Sequence, residues 1–267
     1  MALPTHTETL WIDTPRGQLF CSRWFPASNP GNGQLPPIIL FHDSLGCVAL
    51  WRDFPRQLSQ ATGREVIAYD RLGFGQSDVF PGPLPLTFIR DEAEHCFRHL
   101  KVALQIERFV ALGHSVGGAM AAACASLYPR ECSALITVAA QAFVEDRTLQ
   151  GIREAQVQFA QPGQMARLER YHGAKAPWVL NAWTRTWLGE DYRHWTIEHS
   201  IDAIHCPLLV LHGEHDEYGS VAHPEHLATL SSASSECLIL DDCHHVPHRE
   251  VPDAVLEAVG RLLDTHR

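Results

Sequence analysis

A serine between two glycines is the first group in this sequence that could act as a nucleophile. Residues 113–117 read Gly-His-Ser-Val-Gly, which places Ser115 in a G-x-S-x-G pattern. A serine that projects from a sharp turn between a strand and a helix leaves no room for a Cβ atom two residues to either side. The helix behind it presents free N–H groups and the positive end of its dipole. The pattern therefore predicts nucleophilic catalysis by Ser115.

Such a serine needs a general base and a carboxylate that orients the base. In a strand-and-helix fold these groups follow later strand ends, in the order nucleophile, acid, histidine. Asp216 comes shortly after the apolar run Leu208–Leu211, so we predict that it is the acid. Further along the chain are the candidate bases His244, His245 and His248. Other candidate acids are Glu214, Glu217 and Asp146.

Acyl transfer also requires two N–H groups that face the oxygen on which negative charge develops. One is expected to be the backbone N–H of Val116, directly after the nucleophile. The other is expected in the loop that follows the apolar run Ile38–Phe41, and there we select the N–H of Ser44.

The elements that must position these residues alternate between strands and helices. Two strands, Thr9–Asp13 and Leu19–Phe25, come first, and the later runs have the fully apolar character of strands buried on both faces of a parallel sheet. This order predicts an α/β fold with a mostly parallel eight-stranded sheet flanked by helices. The later strands are predicted at Ile38–Phe41, Val66–Tyr69, Phe109–Leu112, Ala134–Val138, Leu208–Leu211 and Cys237–Leu240, and the helices at Ala49–Ala61, Ile89–Gln105, Gly118–Tyr128 and Pro252–Leu263.

One stretch breaks the alternation. Roughly 70 residues between Val138 and Leu208 have helical character but no convincing strand, and a structureless loop of that length is uncommon. We predict an inserted helical cap over residues 145–199, with residues 1–144 and 200–267 forming the core domain. Some of its aromatic residues are expected to line a pocket between the cap and the sheet. Four of the seven tryptophans lie in it: Trp178, Trp183, Trp187 and Trp195.

Composition excludes several classes of protein. The formal net charge of −10 is unfavourable for binding nucleic acid or an anionic membrane surface. The sequence has no recognisable signal peptide and no apolar run of about 18 residues, so we expect a cytoplasmic location. The eight cysteines form no CxxC pair and are expected to be free thiols, most of them buried. The 17 histidines include no HExxH pattern, so we expect no metal site.

Taken together, these segments resemble the α/β-hydrolase superfamily, most closely its cofactor-free, capped, esterase-like members. The resemblance extends over nearly the whole chain. It rests on the Ser115 turn, the loop His42-Asp43-Ser44, the turn Asp70-Arg71-Leu72-Gly73-Phe74-Gly75-Gln76-Ser77, the segment His212–Asp216 and the terminal segment Asp242–Pro252.

The resemblance adds an expectation at two places, the catalytic histidine and Asp43. The terminal pattern places the catalytic histidine at His245 and puts His244 where the family usually has glycine. Asp43 also stands where the family usually has glycine. Because a carboxylate aimed at a developing oxyanion would repel it, we expect Asp43 to point away from the site.

What the resemblance implies is a serine hydrolase with the triad Ser115, Asp216 and His245 and with no cofactor. It would cleave a small carboxylic ester, lactone or thioester through an acyl-enzyme, and the expected partner is this small-molecule substrate. Hydrolysis of a C–C bond in ring-cleavage diketones uses the same triad and stays open. A ligand-binding role with little turnover and a cofactor-free dioxygenase also stay open.

Overall fold

The computed structural model describes residues 6–26, 35–199 and 203–266. In them one sheet contains eight strands in the order β1-β2-β4-β3-β5-β6-β7-β8. The β1–β2 and β2–β4 pairs are antiparallel and the other pairs are parallel, which confirms the predicted fold class. The strands are β1 (His6–Thr14), β2 (Gly17–Phe25), β3 (Ile38–Phe41), β4 (Val66–Tyr69), β5 (Phe109–His114), β6 (Cys132–Val138), β7 (Leu208–Gly213) and β8 (Ser235–Leu240).

Helices cover both faces of the sheet, and two predicted helices differ in detail from those observed. The segment predicted as Ala49–Ala61 divides into a 3₁₀ turn, Val48–Trp51, and helix α1, because Arg52 between them has φ 53°, which interrupts the helical backbone. The segment predicted as Ile89–Gln105 contains a π turn, Glu92–Cys96. The helices are α1 (Phe54–Thr62), α2 (Phe88–Asp91), α3 (Phe97–Ala103), α4 (Val116–Leu127), α5 (Asp146–Phe159), α6 (Gln164–His172), α7 (Ala176–Trp187), α8 (Ala222–Leu227), α9 (Pro247–Glu250) and α10 (Pro252–Thr265).

The core lies on both sides of the central strands. Every residue of β3, β4, β5 and β7 is buried, as expected of parallel strands covered on two faces. On one face pack α3 and α4, and the run of alanines in α4 lets that helix approach the sheet closely. On the other face pack α1 and α10. The carboxyl ends of the central strands are thereby held in a fixed relation to one another.

Between β6 and β7 the chain forms helices α5, α6 and α7 and short 3₁₀ turns. Part of this connection has a small apolar cluster of its own, in which Leu168, Ala176 and Val179 pack with Phe74. The helical character agrees with the prediction for residues 145–199. The division into a core domain and a separate cap stays a prediction, and residue 200, at its second boundary, lies outside the described residues. No helix in the described ranges has both the length and the apolar character needed to cross a bilayer.

Candidate active site

Ser115 occupies a sharp turn between β5 and α4. Its backbone has φ 56° and ψ −130°, a conformation that is strained for a residue with a side chain. A Cβ atom on Gly113 would lie 2.0 Å from the carbonyl oxygen of Gly117, and one on Gly117 would lie 2.1 Å from the carbonyl oxygen of Phe41. The two flanking glycines are therefore required by the close approach of backbone to backbone, as the G-x-S-x-G pattern predicts.

The structure brings Ser115, His245 and Asp216 together from three strand ends. Ser115 Oγ lies 3.0 Å from His245 Nε2. On the other side of the ring, His245 Nδ1 lies 2.8 and 2.9 Å from the two carboxylate oxygens of Asp216. Asp216 Oδ1 also accepts hydrogen bonds from the N–H groups of Tyr218 and Gly219, at 2.7 and 3.1 Å. The imidazole is thus held with Nδ1–H towards the acid and Nε2 free to accept a proton from the serine.

Burial and charge act in opposite directions on the pKa values of His245 and Asp216. Burial lowers the pKa of His245, but the negative charge of Asp216 and its hydrogen bond outweigh burial, so the pKa lies above its ordinary value of 6.5. Burial raises the pKa of Asp216, but the interactions with His245 outweigh it and leave the pKa below its ordinary value. The two shifts agree, and both describe an ion pair that favours the imidazolium.

The other two candidate bases have different surroundings. His244 is exposed, and its Nδ1 lies 3.3 Å from Glu250 Oε2. His248 is buried against Trp51 and His114, with ring centroids 4.8 and 4.7 Å away. Of the three histidines, His245 is the one within hydrogen-bonding distance of Ser115.

The remaining candidate acids do not reach the imidazole of His245 by a hydrogen bond. Glu214 and Glu217 are exposed, and so is Asp146, which begins α5. In the described part of the chain, the only carboxylate hydrogen-bonded to His245 is that of Asp216. This geometry supports the assignment of Asp216 rather than its neighbours.

The two predicted oxyanion donors lie beside the serine. Val116 is the first residue of α4, so its N–H has no acceptor within the helix. Ser44 lines the same cavity as Ser115, and its N–H donates to no other group among the described residues. Both N–H groups are therefore available to a ligand.

Asp43 departs from the orientation expected for it. It lines the cavity together with Ser115 and His245 instead of pointing away from the site. Its Oδ1 atom lies directly over Gly46, where a Cβ atom would be only 1.9 Å from it. The backbone carbonyl of Asp43 is held by His42 Nδ1–H and by Arg71, at 2.8 Å each. The side chain is therefore left on the cavity side of the loop.

The cavity above Ser115 has a volume of about 100 Å³. An apolar cavity of about 150 Å³ is known to hold benzene, so this one accepts a group somewhat smaller than that. Two helices of the β6–β7 connection each contribute a pair of residues one turn apart, Thr148 and Ile152 from α5 and Trp183 and Trp187 from α7. The other lining residues are Asp43, Ser44, Leu45, Ser115, Gln141, Tyr218 and His245.

Sequence reasoning missed two polar residues that support the site. Gln141 follows β6, and its Oε1 lies 3.3 Å from Ser115 Oγ. His114 precedes Ser115, and its Nε2 lies 2.7 Å from the backbone carbonyl oxygen of His245. Gln141 comes just beyond the end of a strand, and this was the available signal for it. No local signal relates His114 to a residue 131 positions away.

The β6–β7 connection is bound to the loops that carry the site. Arg147 Nη1 donates to the carbonyl oxygen of Asp216 at 3.1 Å, and Thr148 Oγ1 donates to that of Tyr218 at 2.6 Å. At the other side of the cavity, His172 Nε2 donates to the carbonyl oxygen of Leu45 at 2.9 Å. Helices α5 and α6 thus contact the loop that carries Asp216 (residues 214–221, the acid loop) and the loop that carries Ser44 (residues 42–47, the oxyanion loop).

The cysteines and the possible metal ligands lie apart from this chemistry. All eight cysteines are within the described residues and are free thiols, and six of them are buried. In the part of the chain that the structure describes, two groups of three side chains could supply ligands to a cation: Asp91 with Glu94 and His95, and Glu214 with His215 and Asp242. The second group is fully exposed, and neither group lines the cavity.

Comparison with known proteins gives related sequences and folds. The chain is 29% identical over 209 residues to serine hydrolase BPHL of Mus musculus, covering 73% of this chain and 68% of that protein. It is 33% identical over 109 residues to 1-acylglycerol-3-phosphate O-acyltransferase ABHD5 of Rattus norvegicus, but that match spans 41% of this chain and only 30% of the relative's length.

Solved structures show the same fold at lower identity. Proline iminopeptidase from Mycobacterium smegmatis has a TM-score of 0.73 at 20% identity, with 97% of this chain and 98% of that chain covered. A thermophilic esterase from Thermogutta terrifontis has a TM-score of 0.70 at 22% identity, with 97% and 100% covered. The sequence profile of the alpha/beta hydrolase fold family matches residues 36–189. The chain therefore belongs to the alpha/beta hydrolase family.

Proposed function

We propose that this protein is a serine hydrolase that cleaves a small carboxylic ester, lactone or thioester through an acyl-enzyme. The observation that carries the proposal is the continuous chain of contacts from Ser115 Oγ through His245 to Asp216, with distances of 3.0 and 2.8 Å. A hydroxyl in this arrangement can lose its proton as it attacks. The strained turn at Ser115 supports the proposal independently, because such strain is concentrated at functional sites.

In the proposed mechanism, Ser115 Oγ attacks the acyl carbon while its proton passes to His245 Nε2. Asp216 stabilises the imidazolium and keeps Nδ1 protonated. The N–H groups of Val116 and Ser44 donate to the oxyanion. The proton on Nε2 then passes to the leaving group as the bond to the acyl carbon breaks. A water molecule, deprotonated by His245, attacks the acyl-enzyme, and the acid product leaves with Ser115 restored.

The size and lining of the cavity favour a small substrate. A volume of about 100 Å³ leaves room for a short acyl or alcohol group, and long aliphatic chains would have to leave it for solvent. Residues 145–199 supply Thr148, Ile152, Trp183 and Trp187 to its wall. We therefore propose that this segment acts as a cap that sets substrate choice, while the core supplies the chemistry. We further propose that the partner is a small molecule, in keeping with the size of the cavity. The proposed location is cytoplasmic, where thiols stay reduced, and the free cysteines are consistent with it.

The test is hydrolysis and active-site labelling of the wild-type protein and the Ser115→Ala variant. Loss of a nucleophile typically lowers kcat by about 10⁴ to 10⁶. We expect wild type, but not Ser115→Ala, to turn over short p-nitrophenyl esters and to be labelled by a small fluorophosphonate. Lactones and a ring-cleavage diketone in the same panel separate ester cleavage from C–C cleavage. A Ser115→Ala protein that keeps more than a tenth of the activity would refute the proposal.

A further inference from the structure

Asp43 places a negative charge in the wall of the catalytic cavity. Of the described residues that line the cavity, it carries the only carboxylate, and none is lysine or arginine. The charge of Asp43 acts on other groups of the site, because it contributes to raising the pKa of His245 and of Tyr218. A cavity with this lining is unfavourable for an anionic substrate and favourable for a cationic one.

The Asp43 carboxylate is also unpaired. Within the described ranges, no donor makes a hydrogen bond to it and no cation forms an ion pair with it. Arg71 and Arg249 interact electrostatically with Asp43, but their hydrogen bonds go elsewhere: Arg71 Nη2 donates to the backbone carbonyl of Asp43 and Arg249 Nη2 to that of Leu50, at 2.8 and 2.6 Å. A half-buried carboxylate in a cavity wall, without a partner, is a site where a donor on a ligand would be favoured.

Aromatic rings line the same cavity. Trp183 and Trp187 come from one face of α7, and Tyr218 comes from the acid loop. The rings of Trp183 and Tyr218 are in edge contact, with centroids 5.9 Å apart. Aromatic faces attract ammonium groups through their quadrupoles, and cavities that combine such faces with a carboxylate are suited to alkylated amines.

We propose that the natural substrate carries an ammonium group close to its scissile acyl bond, bound by Asp43 and the rings of Trp183, Trp187 and Tyr218. This inference rests on the proposed function, which it narrows to cationic esters and related acyl compounds. It also accounts for the presence of a carboxylate, that of Asp43, within the oxyanion loop. Alone, the negative charge of Asp43 would oppose the developing oxyanion, but the positive charge brought by the substrate offsets it.

The first measurement is binding, because it does not depend on turnover. Choline and 3,3-dimethylbutan-1-ol have nearly the same shape, and only choline is charged. Calorimetry gives the affinity of each for wild type and for Asp43→Asn. We expect wild type to bind choline about tenfold more tightly than the neutral alcohol, which corresponds to about 1.4 kcal/mol. In Asp43→Asn the two affinities should lie within threefold.

Glu217→Gln is the matched control. Glu217 also raises the pKa of His245, but it is exposed and does not line the cavity. If a general negative field attracts the cation, both variants should lower the preference for choline equally. If Asp43 binds the cation directly, the Glu217→Gln variant should keep most of the preference for choline. Asp43→Ser serves as a second variant should Asp43→Asn be unstable, and thermal melting establishes that each variant is folded.

Hydrolysis of the two acetate esters separates this inference from the proposed function. A tenfold higher kcat/KM for acetylcholine than for 3,3-dimethylbutyl acetate, lost in Asp43→Asn, supports both. Three results would overturn the proposal of a cationic substrate. They are equal kcat/KM values for the two esters, no measurable binding of choline to wild type, and a preference for choline that Asp43→Asn leaves unchanged. Preferential binding of choline with no hydrolysis of either ester and no labelling of Ser115 would support the cation site and refute the serine hydrolase.

Discussion

The imidazole of His114 and the backbone carbonyl of His245 are joined by a hydrogen bond of 2.7 Å. Since a carbonyl only accepts, His114 Nε2 carries the proton. Burial lowers the pKa of His114 to about 4, so the ring is neutral near pH 7 and keeps this donor. His114, next to Ser115 in the chain, therefore holds the backbone of His245, the proposed general base.

Removing this bond should impair catalysis without removing any reacting group. We expect His114→Phe to lower kcat about ten- to a hundredfold, because a small displacement of His245 disturbs its contact with Ser115. The unpaired buried carbonyl should also lower the free energy of unfolding by about 1–3 kcal/mol. His114→Gln, whose amide can donate to the same carbonyl, should keep more activity. Steady-state kinetics and denaturant unfolding measure both, and a wild-type kcat in His114→Phe would contradict the positioning role.

The adjacent histidines 244 and 245 should differ sharply in effect. His245→Ala should lose about 10⁴-fold or more in kcat. His244→Ala should keep at least a tenth of wild-type activity, because its ring is exposed and Glu250 also accepts hydrogen bonds from the backbone N–H groups of His244 and Val246, at 2.7 and 2.9 Å. Kinetics on both variants at matched stability provides the comparison, and a reversed result would mean that the predicted register of this loop is wrong by one residue.

The pH dependence should follow the titration of His245. As a base the ring must be neutral, and its pKa in the folded protein lies above 6.5, so kcat/KM should rise with pH through a value above 6.5. Asp43 contributes to raising this pKa. In Asp43→Asn the acidic limb should therefore move to lower pH. A pH–rate profile from pH 5 to 9 on a neutral ester measures the shift, and a limb that moves to higher pH would contradict the assigned cause.

Two tryptophans of the proposed cap should have separable roles. Trp183 lines the cavity, so Trp183→Ala should change the ratio of kcat/KM between short and long acyl chains, while fluorophosphonate still labels Ser115. Trp178 does not line the cavity. It stacks on Phe80 and donates from Nε1 to the carbonyl of Gly82 at 2.8 Å. Trp178→Ala should instead lower the free energy of unfolding by about 2 kcal/mol. The same loss on every ester in Trp183→Ala would count against the cap.

The backbone of Ser115 should store measurable strain. Glycine adopts a positive φ without steric cost, whereas alanine retains the Cβ atom. We expect Ser115→Gly to have a free energy of unfolding about 1 kcal/mol higher than Ser115→Ala, after allowing for the greater freedom of glycine in the unfolded chain. Both variants lack the nucleophile, so the comparison isolates the backbone. Equal stabilities would mean that the turn is not strained.

The positions of the strands and of Ser115 and Asp216 could be predicted from local rules, whereas the choice of His245 among three histidines came from the resemblance to a family. Apolar runs indicate buried parallel strands, and the ends of such strands lie at one edge of the sheet. Ser115, Asp216 and His245 each follow one of those runs. Their predicted proximity therefore needed no knowledge of side-chain packing, and the observed distances agree with it.

Other features depend on contacts between distant segments. The orientation of Asp43 depends on the absence of a side chain at Gly46 and on Arg71, which holds the backbone carbonyl of Asp43. The contact between His114 and His245 depends on how the last loop lies against β5. Which tryptophans face the cavity depends on the rotation of α7. None of these relations has a periodicity or spacing from which it could be inferred.

The start of the β6–β7 connection is linked to residues 216–223 in a way that bears on protein engineering. Glu145 accepts hydrogen bonds from the backbone N–H and the hydroxyl of Ser220 and from His223, and Arg147 and Thr148 bond to carbonyls of the acid loop. A chimera that imports residues 145–199 from a relative would break these bonds and displace Asp216. The transplantable unit is therefore the helical segment together with the acid loop, and homologous exchange should succeed only when both are taken from the same parent.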